Sequence, residues 1–113
     1  MTDTTTSNTP PVIQRYFQAS GTNDVRGLVD CFTDDARVSD EGKTYRGRDD
    51  IMNWWEGSVS EWIYTTTVTG SQSVSATEHL LMVHIAGNFP GGEANLTFHF
   101  TLRDGLVASL EIG

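Results

Sequence analysis

Asp40 closes the stretch Cys31-Phe32-Thr33-Asp34-Asp35-Ala36-Arg37-Val38-Ser39-Asp40, and it is the side chain with the most chemistry to offer. A carboxylate at a strand end that opens onto apolar side chains is poorly solvated, which raises its pKa toward values useful for moving a proton. Asp is also common at solvated strand-to-loop junctions, so a surface acid is the alternative reading. Tyr16 lies on the apolar stripe of a helical pattern, where its hydroxyl either meets a ligand or finds a partner inside the core. Trp54, Trp55 and Trp62 carry broad rings that line a pocket or fill a core. Trp55 is assigned to the pocket, and the other two stay open between the two roles.

The remaining reactive types offer less. His79, His84 and His99 have no metal-ligand spacing, so neither a metal nor another cofactor is expected. If Phe98 and Phe100 point inward, strand alternation turns His99 outward, and Val83 and Ile85 inward likewise turn His84 out. A bulge in either strand reverses that parity. Gly91-Gly92 follows Pro90 in a hairpin signal, not a strand-to-helix turn, so it is not a phosphate cradle or a nucleophile elbow. Cys31 is the single cysteine, which excludes an intrachain disulfide, and its position beside Phe32 reads as a small buried thiol.

The elements that position these groups change character once along the chain. Pro10 and Pro11 suit a first helical turn. Val12, Ile13, Tyr16 and Phe17 then recur at helical spacing. Ser20-Gly21-Thr22-Asn23 ends that helix and offers a cap to a short second one, whose stripe is Val25, Leu28, Val29 and Phe32. Thr33-Asp34-Asp35 is turn chemistry, Ala36 to Asp40 a short strand, and Glu41-Gly42-Lys43 a loop. Tyr45-Arg46-Gly47 leads into a third helix with Ile51, Trp54, Trp55 and Val59 on its apolar side. Asp49 and Asp50 sit in its first turn, where the helix dipole favours them. From Trp62 the period becomes two. Trp62 to Val68, Leu80 to Phe89, Ala94 to Leu102 and Leu106 to Ile112 read as strands, with a tight hairpin at Asp104-Gly105. Three helices followed by long antiparallel strands make an α+β domain, with the helices on one face of a curved sheet.

Composition sets outer limits. At 113 residues the chain is one domain able to bury a core without metal or disulfide. Fifteen acids against seven bases give a net charge of −8, and no cluster of Lys and Arg is present to grip a polyphosphate or an anionic bilayer. Neither nucleic acid nor membrane is therefore an expected partner. The polar, Thr-rich start is read as a disordered tail over residues 1–9 ahead of a domain at 10–113, on a cytoplasmic protein. The strand Leu80–Ala86 is apolar on both parities. Leu81, Val83 and Ile85 share one face, and Leu80, Met82 and Ala86 share the other, whereas three helices cover only one. The outer face is expected to pack on a second copy in a two-fold homodimer.

The run Val12-Ile13-Gln14-Arg15-Tyr16, then Asn23-Asp24, Gly27-Leu28, Phe32-Thr33-Asp34-Asp35-Ala36, Val38 and Asp40, then Gly47, Ile51 and Trp54-Trp55 resembles the nuclear transport factor 2-like superfamily. Within it the pattern is most similar to ketosteroid isomerases and SnoaL-like polyketide cyclases. The resemblance spans Val12 to Ile112 and implies a cone-shaped α+β roll: three N-terminal helices on a strongly curved, mostly antiparallel sheet that encloses an apolar pocket.

It also implies roles. Asp40 falls where the isomerases keep their general base, and Tyr16 where a tyrosine hydrogen-bonds the steroid oxyanion. Trp55 falls where a second tyrosine supports the first. The isomerases' second oxyanion donor, a protonated aspartic acid, is matched by Phe98, and losing one such donor costs about 10²–10³ in rate. Efficient ketosteroid isomerisation is not expected. Some dehydratases of the superfamily use two strand histidines, which keeps His84 and His99 as an alternative despite their parity. No arginine matches the Asp-Arg-Asp relay of its epoxide hydrolases. The resulting expectation is a pocket for a small apolar, ring-bearing or polyketide-like molecule, shaped by Trp55, Val83, Ile85, Phe98, Phe100 and Leu110. Asp40 and Tyr16 would act as base and oxyanion donor beside a carbonyl; a non-catalytic binding or dimerisation domain is the competing reading.

Overall fold

The computed structural model describes residues 9–59 and 64–113. Trp62 and nearly all of the expected N-terminal tail lie outside the described residues.

Helix α1 (Pro11–Gly21) buries Val12, Ile13, Tyr16 and Ala19 on one face, with Pro in its first turn. Helix α2 (Val25–Val29) is a single short turn capped by Asp24, whose carboxylate accepts the Gly27 N–H at 3.0 Å. A Cβ at position 27 would strike that carboxylate, so glycine there serves the cap. The apolar stripe continues to Phe32, but the helix does not: Phe32 opens strand β1 (Phe32–Asp40). Strand β2 (Lys43–Arg46) follows, then helix α3 (Gly47–Trp54), which runs into a π-helical turn at Trp55–Val59. The rest is sheet: β3 (Tyr64–Ser73), β4 (Glu78–Gly87), β5 (Glu93–Arg103) and β6 (Leu106–Ile112).

The six strands form one sheet in the order β2-β1-β6-β5-β4-β3, antiparallel throughout except where β1 runs parallel to β6. This is the expected α+β architecture with a mostly antiparallel sheet. Registers Val38↔Leu110, Phe100↔Leu110 and Leu81↔Phe98 place these side chains on one face. There they meet Ile13, Leu28, Phe32 and Ile51 in a core where each of these four is fully buried. Burial at about 25 cal/mol per Å² of apolar surface is the main force holding the helices on the sheet.

Two local readings are corrected. Thr33-Asp34-Asp35 is not a turn but part of β1, at a register irregularity between Phe32 and Arg37. The bulge turns both carboxylates outward, where each ties β1 to another element. Asp34 pairs with Arg48 of α3 at 3.3 Å, and that guanidinium also donates to the Phe32 carbonyl. Asp35 accepts from Arg103 of β5 at 2.6 Å and from the Thr33 hydroxyl. The Lys43 loop is likewise a strand, β2. Glu41 and Gly42 form a two-residue hairpin between the paired Asp40 and Lys43, both with positive φ, 54° and 77°. Asp104 and Gly105 make the same kind of turn between β5 and β6.

The Arg103 guanidinium, and then the Thr33 hydroxyl, hold the Asp35 carboxyl down to about 2. A carboxylate depressed in the folded state adds stability that is complete above the ordinary carboxylate range and is lost as pH falls toward 2. Asp35→Asn should therefore flatten the thermal midpoint's dependence on pH over roughly pH 2–4. The pair is exposed, so the change is expected to be small at neutral pH. An unaltered acid profile in that variant would contradict the assignment. Cys31 is 1 % exposed and burial pushes its thiol pKa up, as befits an unreactive core thiol.

Candidate ligand-binding and acid–base site

Strand alternation carries Ala36, Val38 and Asp40 along the inner face of β1. Ala36 and Val38 are fully buried, whereas Asp40, the last residue of the strand, is half-buried. Asp40 thus reaches the wall of a cavity of about 420 Å³ between α1, α3 and the sheet. Its floor is aromatic: Tyr16, Trp54, Trp55 and Phe98 are all buried. Ile85, Leu96, Ile112 and Thr66 make the sheet wall, and the lining is completed by exposed Glu41 and by Phe89 and Pro90 of the β4–β5 hairpin. An apolar hollow of this size with few polar groups is the usual form of a small-molecule site.

Asp40 has a fixed partner. The Trp54 indole N–H donates to its Oδ2 at 3.1 Å, and one oxygen held this way constrains how the other faces the cavity. Trp54, left open by the sequence, is therefore both wall and positioning group. It is itself braced by Trp55, with ring centroids 6.0 Å apart, and by Tyr45 at 6.3 Å. The consecutive tryptophans straddle the passage from α-helix to π-turn, a distortion that recurs at functional sites. Trp55 lines the cavity, but its indole donates to Asn23 Oδ1 at 2.8 Å, so it does not support the Tyr16 hydroxyl. Tyr16 is 2 % exposed and stands edge-on to Phe17 and Phe100, with centroids at 5.2 and 5.5 Å.

The structure brings Asp40, Tyr16, Trp55, Ile85 and Phe98 to one cavity wall. Val83, Phe100 and Leu110 do not reach it. They point to the same side of the sheet but lie in the core, each no more than 1 % exposed, because α1 and the strands' own neighbours close over them. Phe98 presents a ring, with no proton to donate, and packs against Phe17 at 5.5 Å.

The strand histidines are not on the described cavity wall. His84 and His99 sit on the outer face. His84 bonds Glu93 at 2.9 Å, and His99 lies between Glu78 at 3.1 Å and Glu111 at 3.8 Å. A dehydratase using these two is thereby excluded by placement, since their registers keep the parity that turns them away. His79 is the inward histidine, buried near the far end of β4 and bonded to Ser73 at 3.0 Å.

Sequence comparison matches the SnoaL-like domain family over residues 13–110. Comparison with curated proteins finds no match. Among solved structures, a candidate polyketide cyclase from Sinorhizobium meliloti is 34% identical, with a TM-score of 0.88 over 95% of this chain and 97% of that one. A Δ5-3-ketosteroid isomerase from a Mycobacterium species superposes with a TM-score of 0.76 at 19% identity, covering 90% and 88%. A Mycobacterium tuberculosis protein in complex with estradiol-17β-hemisuccinate superposes with a TM-score of 0.77 at 16% identity, covering 89% and 88%.

Proposed function

The chain belongs to the SnoaL-like domain family of the nuclear transport factor 2-like superfamily, and from that footing we propose that it binds a small, apolar, ring-bearing molecule in the cavity beside Asp40. The observation that carries this reading is the wall itself: a half-buried carboxylate, oriented by an indole N–H, faces a floor of buried aromatic rings. A ketone or phenol lying on that floor would put its ring against Tyr16 and Phe98 and an acidic C–H or O–H near Asp40.

Proton transfer at carbon beside a carbonyl is the reaction this pair suits. Asp40 would take the proton, and Tyr16 would donate to the oxygen that gains charge. The ring at Phe98 leaves one donor fewer than the isomerase pattern, which favours slow chemistry or a substrate whose enolate is already stable. A steroid ligand in one relative of the same fold and the cyclase description of another support the ligand class.

Filling the cavity tests the binding site. Ile85 is half-buried on the cavity wall, and Ile85→Trp places an indole in the hollow. Calorimetric affinity for a steroid ketone or a naphthol is expected to fall about tenfold or more while the unfolding free energy stays within about 1 kcal/mol of the parent. Unchanged affinity would remove the cavity as the site.

We also propose a homodimer through the outer sheet face, where Met82 remains 36% exposed beside half-buried Leu80 and Ala86. Light scattering at micromolar concentration should give twice the chain mass, and Met82→Glu should return the chain mass. A monomeric parent would overturn the proposal.

A further inference from the structure

The described cavity wall carries charge of one sign only. Asp40 and Glu41 are its ionisable acids, and no Lys, Arg or His side chain belongs to it. The acids are neighbours in sequence. Glu41 is exposed at the tip of the β1–β2 hairpin and Asp40 is half-buried behind it, whereas Tyr16, Trp54, Trp55 and Phe98 are buried, with Trp54 against Asp40. The lining therefore runs from an exposed carboxylate, Glu41, through half-buried Asp40 to buried aromatic faces.

Glu41 is an unusual residue to find there. It has φ +54° at the first central position of a two-residue hairpin, a conformation that Asn, Asp or Gly adopts with less strain. A side chain with a longer reach stands at that position, and Glu41 belongs to the cavity lining.

These features bear on the charge of the ligand. We propose that the cavity takes ring-bearing amines in preference to their neutral and acidic counterparts, the ring lying on the aromatic floor and the ammonium standing between Asp40 and Glu41. The proposal rests on the cavity being a binding site, and it adds the charge class of what enters. An ammonium held between these acids keeps part of its hydration, gains two opposite charges, and can lie against an aromatic face, which attracts cations through its quadrupole. A carboxylate in the same place meets two like charges with no compensating donor from a basic side chain, an arrangement that disfavours a partner strongly. The amine need not react; the inference concerns binding alone.

Three ligands with one ring system separate the possibilities: 2-naphthylmethylamine, 2-naphthylmethanol and 2-naphthoate, titrated by calorimetry at neutral pH and low salt. The amine is expected to bind about tenfold or more tightly than the acid and more tightly than the alcohol. Its advantage should shrink as salt is raised, since Glu41 is exposed to solvent. Glu41→Gln lies on an exposed turn and leaves the core untouched; it should narrow the amine-to-acid ratio about threefold or more while leaving the alcohol's affinity unchanged. An acid binding as well as the amine, an alcohol binding better than the amine, or a ratio unmoved by Glu41→Gln would overturn the charge preference while leaving the cavity as a site for neutral rings. Binding of none of the three would remove the site and the preference together.

Discussion

Asp40→Asn is expected to slow proton exchange at carbon by about 10²–10⁴-fold while leaving ligand affinity within a few-fold of the parent. The readout is incorporation of deuterium from D₂O into the carbon beside the carbonyl of a cyclic ketone that binds the protein, which requires no knowledge of the physiological substrate. Asn matches Asp in shape, and its amide oxygen can still accept the Trp54 N–H that now meets Oδ2 at 3.1 Å. The geometry of the wall should therefore survive, and what disappears is a group able to hold the proton. Tyr16→Phe should lower the rate as well, by the smaller factor of about 10²–10³ that one oxyanion donor contributes. Exchange that continues at the parental rate in Asp40→Asn would reduce Asp40 to a wall residue and favour a binding domain without chemistry.

Phe100→Ala is expected to cost about 3–5 kcal/mol of stability and to change ligand affinity little. Phe100 is fully buried, with ring centroids 5.5 Å from Tyr16 and 6.0 Å from Phe17, so truncation opens a void where α1 rests on the sheet. Against a typical total of about 5–15 kcal/mol this is a large fraction, and it should appear as a clear fall in the midpoint of denaturant unfolding. Ile85→Ala offers the contrast, because Ile85 is half-buried and already borders open space. Its stability cost should be smaller and its effect on affinity larger. The reverse ordering would mean that Phe100, not Ile85, faces the ligand.

Sequence patterns carried the architecture because period and parity are set by backbone geometry. Helix α1 and strands β4 to β6 follow directly from the 3.6 and 2.0 repeats, whereas β3, read as ending at Val68, runs on to Ser73 past a register shift between Val68 and Gly70; the alternation correctly turned His84 and His99 outward. The errors fall where a short element has no period to show. Strand β2 is four residues at the sheet edge, mostly exposed, so no apolar alternation marks it. Thr33-Asp34-Asp35 reads as a turn in composition, yet ion pairs to Arg48 and Arg103 hold it within a bulged strand. No local pattern contains a partner 68 residues away.

The site was legible in the same measure. Parity kept Ile85 and Phe98 on one face and the family resemblance set Asp40 at the pocket, but neither could say where the helices end and the hollow begins. For that reason Val83, Phe100 and Leu110 share the face and yet belong to the core. Trp54, left open between pocket and core, proves to bond Asp40 across two elements, and the missed residue is Glu41, which adds a second acid to the cavity lining from a left-handed turn. The pair Glu41-Gly42 held a clue to the latter, since such a dipeptide after an alternating run is compatible with a two-residue hairpin.

The central claim is that a ring-bearing molecule lies in this cavity with its functional group beside Asp40. The most direct measurement is the indole ¹H–¹⁵N spectrum during titration with a steroid ketone or a naphthol, with the Trp54 and Trp55 signals identified by substitution. Binding there predicts a saturable shift of the Trp54 signal, whose N–H is bonded to Asp40. The Trp55 signal, held to Asn23 behind the wall, should move less. A ligand that binds with equal or greater affinity while leaving the Trp54 signal unmoved would place it elsewhere and contradict the account.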